Sequence, residues 1–451
     1  MNWSVRQKKL RTSQATKIVT LSFAAVILVG ACLLMLPISS TNGVSCGPMT
    51  ALFTATSATC VTGLVLVDTL TAWSFFGQVV ILCMIQLGGL GVMTIVFLLA
   101  LAIRQKVSLN QRLMMVSAFN LDKLGDTAAV VRRALTFTLC AEGVGAVVLT
   151  LCFFPRYGWQ AIWKGIFTAV SAYCNAGFDL LGPEGGGSLL TYNDHPLVLL
   201  TICGLVVVSG LGFFVWEEIF QCKRGGRLSL YSRMVLWCTA GLLLWGTLFF
   251  FCTEYHNPAT LGSMTLGQKW LNALFQSVTL RTAGFLSVDQ GALREVSLVM
   301  SCLLMLVGGS SGSTAGGLKT VTVGVLLLTL RASLRGQESV CVRGRTIPHQ
   351  KVMAALSLVS IVVLMFFASS MAIAWMDGVP YLSAAYEAAS AIATVGLTTG
   401  ITSGLSTGTH LLLIAMMYLG RVGILSFSMA FLNERRVGSQ IAYPTTDVMI
   451  G

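Results

Sequence analysis

Four stretches of this sequence share one pattern: ATCVTGL (58–64), SAYCNAGFD (171–179), SVTLRTAGF (277–285) and SAIATVGLT (390–398). Each contains one glycine, and these glycines, Gly63, Gly177, Gly284 and Gly396, are 114, 107 and 112 residues apart in a chain of 451. Each stretch completes a moderately apolar segment that is too short to cross a bilayer, which is typical of a re-entrant helix. The regular spacing therefore predicts four repeats that each carry one glycine loop.

The sequence around these loops is that of a membrane protein. Hydrophobic residues make up 55% of the chain, charged residues 10%, and the mean hydropathy is +0.80, whereas a soluble domain carries about 25% charged residues. Long apolar runs favour spanning helices over a β-barrel. Eight segments are long enough to span: 18–39, 75–102, 130–153, 196–220, 233–253, 297–328, 352–376 and 410–431. The four re-entrant segments are 48–60, 161–174, 270–281 and 381–393.

We predict an all-α membrane protein built from four parallel helix–re-entrant pore helix–helix repeats. Its eight spanning helices are expected to surround a central pore with pseudo-fourfold symmetry, about an axis along the membrane normal. The predicted divisions are a basic N-terminus (1–17), repeat 1 (18–103), repeat 2 (127–221), repeat 3 (230–332), repeat 4 (351–432) and a C-terminal tail (433–451).

The distribution of positive charge predicts the orientation. The net charge is +12, and 22 of the 29 Lys and Arg residues fall in the N-terminus, the connections between repeats and the tail. Basic residues concentrate on the cytoplasmic side of membrane proteins. We therefore expect a multi-pass protein of the plasma membrane with both termini in the cytoplasm. Topology and attraction to anionic membrane lipids explain the charge without nucleic acid.

The four glycine loops are predicted to meet at the pore axis. There, backbone carbonyls can replace the water around a dehydrated cation, and glycine lets the carbonyl turn inward with no Cβ in the lumen. The negative C-terminal ends of the re-entrant helices point at the same place. The pattern therefore favours passage of a monovalent cation. The predicted ligands are the backbone carbonyls of Val61, Thr62, Gly63, Asn175, Ala176, Gly177, Thr282, Ala283, Gly284, Thr394, Val395 and Gly396.

The third repeat contains the glycine-rich run GGSSGSTAGGLKT (308–320) inside a spanning segment. Each glycine destabilises a helix by about 1 kcal/mol relative to alanine, so we expect a break and an intramembrane loop below the glycine loops. The alternative is a packing patch of small residues between helices. We predict that the loop is a gate formed by Gly308, Gly309, Ser310, Ser311, Gly312, Ser313, Thr314, Ala315, Gly316 and Gly317.

Arg421 lies inside the last spanning segment, where a charge costs at least about 2.5 kcal/mol on insertion scales. If it faces the pore below the glycine loops, it is an electrostatic barrier to cations. The alternatives are a structural pair with a buried carboxylate such as Glu142, or a side chain that extends to the cytoplasm. At the other face, Asp68 and Asp179 follow the first two loops and either raise the local cation concentration or are ordinary solvated residues.

The four loops resemble the selectivity-filter loops of the Trk/Ktr/HKT superfamily of K⁺ transporters. The matching residues are TCVTGL (59–64), CNAGF (174–178), RTAGF (281–285) and TVGLT (394–398); QLGGLGVMTI (86–95) and YPTTDVMIG (443–451) further resemble the membrane subunits of bacterial Ktr systems. The resemblance implies K⁺ uptake, often coupled to Na⁺, by a homodimer with a cytoplasmic RCK-type (KtrA-like) nucleotide-binding regulatory subunit. It also implies a preference for K⁺ over Na⁺, because some relatives that carry serine in place of the first filter glycine pass Na⁺, and Gly63 stands there in this chain.

Two other classes of protein are less consistent with the sequence. A Na⁺-coupled secondary transporter of a different solute is the main alternative, but its inverted repeats would not place every basic connection on one side. An enzyme would need a cluster of His, Asp, Glu or Cys side chains, and the four histidines and thirteen cysteines show no such spacing. We therefore expect no catalytic residue and no bound cofactor, with K⁺ as substrate and the only metal ion, and Na⁺ as an activating or co-transported ion.

Overall fold

The structure, a computed structural model, describes residues 2–91, 127–182, 188–222, 228–337, 339–342 and 344–423. This part of the chain is almost entirely helical. Its one sheet is an antiparallel ribbon of strands β1 (Cys341–Val342) and β2 (Arg345–Thr346), between the third and fourth groups of helices.

The helices form four groups that follow one another along the chain, each with a long first helix, a short second helix and a further helix. The first group is α1 (Asn2–Leu34), α2 (Pro48–Cys60), the single turn α3 (Thr69–Ala72) and α4 (Phe75–Leu90); the second is α5 (Thr127–Tyr157), α6 (Gln160–Cys174), α7 (Pro196–Leu211) and α8 (Phe213–Cys222). The third is α9 (Leu230–Glu254), α10 (Leu266–Thr279), α11 (Glu295–Leu306) and α12 (Thr320–Leu334); the fourth is α13 (His349–Asp377), α14 (Tyr381–Ala393) and α15 (Thr407–Val422).

Within the described residues, four helices are long and apolar enough to cross a membrane: Lys17–Leu34 of α1, Arg132–Tyr157 of α5, α9 and α13. A fifth span results if α7 and α8 count as one. These helices expose large apolar side chains such as Leu28, Trp245 and Trp375, as expected for surfaces that contact lipid. Helices lie in all eight predicted spanning segments, although 92–102 and 424–431 are outside the described residues. The count of eight spans stays a prediction.

The four short second helices, α2, α6, α10 and α14, occupy the centre of the molecule. In α14, every residue from Ala384 to Ala393 is buried, and in α2 the same holds from Phe53 to Cys60. Small Ala, Ser and Thr side chains allow other helices to approach closely. The predicted re-entrant segments are thus confirmed as short helices, and proline at the first position of α2 fixes where that helix begins.

The start of the first predicted span agrees with the structure, and one other predicted segment is wrong. The part of α1 that is long and apolar enough to span begins at Lys17, next to the predicted Ile18, although the helix itself already begins at Asn2. The segment 196–220 is not one helix, since α7 and α8 meet at 90°. Gly212 makes this corner with φ of +83°, a conformation that glycine adopts without strain. The predicted tail (433–451) lies outside the described residues.

The predicted break in the third group is confirmed, since residues 307–319 separate α11 from α12. The ends of this segment are joined by backbone hydrogen bonds: Gly308 N–H donates to Leu318 O (3.0 Å), and Leu318 N–H donates to Leu306 O (3.0 Å). We call residues 307–319 the intramembrane loop. Because these hydrogen bonds hold the two ends of the loop together, the end of α11 and the start of α12 stay close to each other.

Candidate functional site

Each short second helix leads into its glycine loop through a residue in the left-handed conformation, two positions before the glycine. These residues are Val61, Asn175, Thr282 and Thr394, with φ between +52° and +69°. Backbone strain of this kind costs of order 1–3 kcal/mol per residue and is concentrated at functional sites. The same strained residue therefore recurs at the same place in all four repeats.

The four glycines form a closed ring in chain order. A Cβ atom added to any of them would clash with the loop of the next repeat, so only glycine permits this approach of the backbones. The facing carbonyl oxygens and their distances from the added Cβ are Ala176 O for Gly63 (2.5 Å), Ala283 O for Gly177 (3.0 Å), Val395 O for Gly284 (2.5 Å) and Thr62 O for Gly396 (2.1 Å).

These four carbonyl oxygens are left free by the part of the chain that the structure describes. Within the described residues, no hydrogen bond is accepted by Thr62 O, Ala176 O, Ala283 O or Val395 O. More than 90% of buried backbone carbonyls in proteins are paired, so four free carbonyls beside one ring of glycines can ligate a cation. The loops themselves are held from behind, since Gly63 N–H and Gly396 N–H each donate to a serine hydroxyl, of Ser57 and Ser390, at 3.0 Å.

The intramembrane loop contacts the short second helices or the glycine loops of three repeats. The Thr314 hydroxyl donates to Tyr173 O (3.1 Å) in α6. A Cβ on Gly316 would lie 2.0 Å from Thr394 Oγ1 in the fourth glycine loop. The guanidinium of Arg281, next to the third glycine loop, donates to Gly308 O (3.2 Å). The loop therefore lies next to the ring and to the short helices that lead into it.

Arg421 connects the intramembrane loop to the first repeat. Its guanidinium donates to the carbonyl oxygen of Thr314 in the loop and to the carbonyl oxygens of Gly88 and Gly89 near the end of α4. Gly88 in turn packs on the first short helix, where an added Cβ would lie 2.0 Å from Thr59 O. Through Arg421, the loop thus contacts all four repeats.

Arg421 is not paired with Glu142, which was the structural alternative. The Glu142 carboxylate accepts from Gln86 Nε2 (3.1 Å and 3.2 Å), and among the described residues no carboxylate lies within salt-bridge distance of Arg421. A second cation lies close by, because Lys319 Nζ donates to Ala315 O (2.8 Å) of the intramembrane loop. Within the described residues, the charges of Arg421 and Lys319 are therefore stabilised by backbone carbonyl oxygens and not by carboxylates.

Arg281 was not recognised as a site residue from the sequence. Charge counting leaves it among the seven Lys and Arg residues outside the predicted cytoplasmic groups. The residue is nevertheless only 8% exposed, and it donates to Gly308 O in the intramembrane loop and to the hydroxyl of Thr320, the first residue of α12 (3.4 Å). The only available signal was its place directly before Thr282, Ala283 and Gly284 of the third glycine loop. Arg281 thus connects the glycine loop of repeat 3 to the intramembrane loop.

Asp179 lies in the segment after the second glycine loop, outside the helices. Burial raises the pKa of its carboxyl to about 6, and the charge of Asp68 acts in the same direction, whereas a hydrogen bond from Leu181 N–H (3.0 Å) opposes it. Asp68 also caps α3, where it accepts from Thr71 N–H (2.8 Å). The two predicted mouth residues are therefore close enough to interact.

Comparison with known proteins agrees with this arrangement. Residues 1–437 match the family model of TrkH, cation transport protein. The chain is 37% identical to the potassium/sodium uptake protein NtpJ of Enterococcus hirae, over 99% of this chain and 100% of that protein. It is also 37% identical to the Ktr system potassium uptake protein B of Bacillus subtilis, over 96% of each chain.

A solved structure shares the fold. The potassium transporter TrkH from Vibrio parahaemolyticus superposes with a TM-score of 0.73 at 19% identity, over 93% of this chain and 85% of that one. A family of this kind moves ions and does not catalyse a chemical reaction, so the chain is not an enzyme. The match over nearly the whole chain shows that it belongs to the TrkH family of cation transport proteins.

Proposed function

We propose that the chain is the membrane subunit through which K⁺ enters the cell, passing through a single filter made by the four glycine loops. The closed ring of Gly63, Gly177, Gly284 and Gly396 carries this proposal, together with the carbonyl oxygen that faces each glycine and accepts no hydrogen bond from the described residues. Carbonyl oxygens on a ring of this kind replace the hydration shell of a monovalent cation. The names of the two relatives that match the whole chain, both K⁺ uptake proteins, support the choice of ion.

The filter is proposed to consist of the backbones of the twelve residues predicted from the sequence, in four repeats with eight spans around the pore. Below them, the intramembrane loop (predicted as 308–317) is proposed to be the gate, and Arg421 an electrostatic barrier. The loop supports this role because it lies next to the ring and touches three repeats directly. A loop that only filled a packing defect would not need contacts to the filter residue Thr394.

The cellular setting is also proposed. Both termini lie in the cytoplasm of a bacterial cell, since basic residues concentrate on that side. The chain acts as a homodimer with an RCK-type regulatory subunit, which agrees with the word "system" in the name of the Bacillus subtilis relative. Uptake depends on Na⁺, which agrees with the name of the Enterococcus hirae protein. Omitting Na⁺ from an uptake assay tests that dependence directly.

Growth of a bacterial host that lacks its own K⁺ uptake tests the function. We expect the chain to restore growth at low K⁺, and the variant Gly177→Val, which fills the ring with a side chain, to restore none at equal expression. Failure of the well-expressed wild-type chain, alone and with a regulatory subunit, would contradict K⁺ uptake. Equal growth with Gly177→Val would show that the ions do not pass through the ring.

A further inference from the structure

A buried carboxylate stands behind the fourth filter loop. Glu387, in α14, has no exposed surface and follows three buried residues of that helix. A carboxylate that is taken out of water needs hydrogen-bond donors or a cation to offset the loss of hydration. Among the described residues no Lys, Arg or His lies within salt-bridge distance of Glu387. Its partners are instead donors of the segment that follows the filter.

Both oxygens of Glu387 are used by that segment. Oε1 accepts from the Thr398 hydroxyl and from Thr399 N–H (3.3 Å), and Oε2 accepts from the Thr402 hydroxyl (2.8 Å). Thr402 is fixed in addition by the His410 ring, whose Nε2 lies 2.9 Å from Thr402 O, and its hydroxyl lies 2.8 Å from Thr398 Oγ1. The chain is therefore tied down beginning two residues after Gly396.

The neighbouring residue extends the same support to the third loop. Tyr386 OH donates to Gln290 Oε1 (2.8 Å), and Gln290 exchanges two hydrogen bonds with Gln276 of α10 (2.6 Å and 3.1 Å). The segments after loops 3 and 4 also touch, because a Cβ on Gly291 would lie 3.0 Å from Thr399 O. Two consecutive residues of α14 thus hold both segments.

The first two repeats lack a carboxylate at this position. Nine residues before the filter glycine, where repeat 4 has Glu387, repeats 1 and 2 carry Thr54 and Thr168. Both hydroxyls are buried and lack a hydrogen-bond partner within the described residues. The support is of another kind there, since Gly63 N–H donates to the Ser57 hydroxyl in repeat 1 and Lys164 Nζ donates to Leu180 O after the second loop.

We propose that Glu387 is a positioning residue for ion selectivity, which fixes the distance of the fourth filter loop from the pore axis through Thr398, Thr399 and Thr402. The inference rests on the proposed K⁺ filter. A filter distinguishes K⁺ from the smaller Na⁺ only if its carbonyls resist closing in on the smaller ion, whether by cavity size or by the field of the carbonyls. Release of loop 4 removes that resistance on one side, so Na⁺ is coordinated more readily.

Ion flux into proteoliposomes that contain the purified chain tests the proposal, with the ratio of K⁺ to Na⁺ flux as the readout. We expect Glu387→Leu to lower this ratio about tenfold, which corresponds to ~1.4 kcal/mol of discrimination. Glu387→Gln retains an oxygen for Thr398 and Thr399 and should stay within about twofold of wild type. Thr398→Val leaves Glu387 in place and tests the same contact if Glu387→Leu does not fold.

Glu254 provides the matched control. It is also a buried carboxylate, but its donors, such as Thr260 Oγ1 (2.8 Å) and Arg294 N–H (3.1 Å), belong to the linkers on either side of α10 and α11. Glu254→Leu should lower the melting temperature in detergent and leave the flux ratio unchanged. A folded Glu387→Leu or Thr398→Val protein with the wild-type ratio would overturn the proposal, as would an equal loss in Glu254→Leu. Wild-type protein that carries no K⁺ would instead overturn the proposed function on which it rests.

Discussion

The guanidinium of Arg421 donates a hydrogen bond to the carbonyl oxygen of Thr314, although the two residues are 107 positions apart in the sequence. Arg421 lies in the last turn of α15, and Thr314 is in the middle of the intramembrane loop. The same side chain donates to Gly88 O and Gly89 O in the first repeat. One residue therefore places a positive charge next to the proposed gate and connects that gate to α4 of the first repeat.

Removal of this charge should increase K⁺ flux. A positive charge ~5 Å from a passing K⁺ contributes roughly 3 kcal/mol of repulsion at an effective dielectric constant of about 20. Water reduces this, so we expect Arg421→Ala to raise K⁺ flux about tenfold with little change in the ratio of K⁺ to Na⁺ flux. Arg421→Lys should remain near wild type. Unchanged flux in folded Arg421→Ala protein would show that Arg421 is not an electrostatic barrier.

Shortening of the intramembrane loop should open the pathway. Deletion of Ser310 to Ala315 leaves the backbone hydrogen bonds between Gly308, Leu318 and Leu306, so α11 and α12 need not separate. We expect higher K⁺ flux, with the largest increase in the absence of a regulatory subunit. Tyr231→Phe is a mild control. It removes one hydrogen bond to the loop, at Ser311 O (2.9 Å), and retains the aromatic side chain. Equal or lower flux in a normally expressed deletion variant would show that the loop packs between helices and is not a gate.

Asp179 should make uptake sensitive to external pH. Because its pKa is raised to about 6, the carboxyl is charged at pH 7.5 and becomes neutral as the pH falls to 5, so attraction of K⁺ is lost on acidification. We expect the apparent KM for K⁺ to increase roughly threefold over this range, from ~0.6 kcal/mol of attraction. Asp179→Asn should show the higher KM at both pH values.

Asp289 provides the control for this pH effect. It is an exposed carboxylate in the segment after the third glycine loop, where it caps Gly291 N–H (2.9 Å). Asp289→Asn should keep the pH dependence of the wild type. A pH dependence that persists in Asp179→Asn would contradict the assignment to Asp179.

Local signals allowed the short helices to be predicted closely. The predicted segments 48–60 and 381–393 coincide with α2 and α14, because a proline precedes or begins each helix and a glycine loop ends it. The glycine-rich composition of 308–317 likewise predicted the break between α11 and α12. In these places the conformation depends on nearby residues, so the sequence pattern is sufficient.

The corner between α7 and α8 at Gly212 is not predicted from the sequence, because it depends on contacts with residues far away in the chain. Its apolar surroundings, VVVSGLGFFVW (206–216), resemble those of an ordinary spanning helix. In the structure, Ser310 of the intramembrane loop compensates the broken helix, since its N–H donates to Gly210 O (3.0 Å), and Phe213 N–H donates to Gly312 O (3.2 Å). Backbone groups that lose helical partners must find others, and here those partners are about 100 residues away.

The roles of Arg281 and Glu387 were missed for a related reason. Charge counting assigns a residue to a side of the membrane, but a long side chain such as that of Arg281 can reach a carbonyl well away from its own backbone. Glu387 lies in the run SAAYEAAS (383–390) of a predicted re-entrant helix, and this run does not indicate which donors surround the carboxylate. Those donors follow the filter in the same repeat and become visible only in the folded chain.

The ratio of K⁺ to Na⁺ flux in Gly63→Ser is the most direct test of the central claim that ions pass through the ring of four glycines. Gly63 has φ of +98°, and an added Cβ would lie 2.5 Å from Ala176 O. The matched control is Gly378→Ser, since Gly378 also has a positive φ (+64°) but nothing lies within 4 Å of an added Cβ. Both proteins would be compared with wild type in proteoliposomes, after their melting temperatures show that they are folded. The account predicts a ratio at least about fivefold lower in Gly63→Ser and unchanged in Gly378→Ser. A folded Gly63→Ser protein with the wild-type ratio would contradict it.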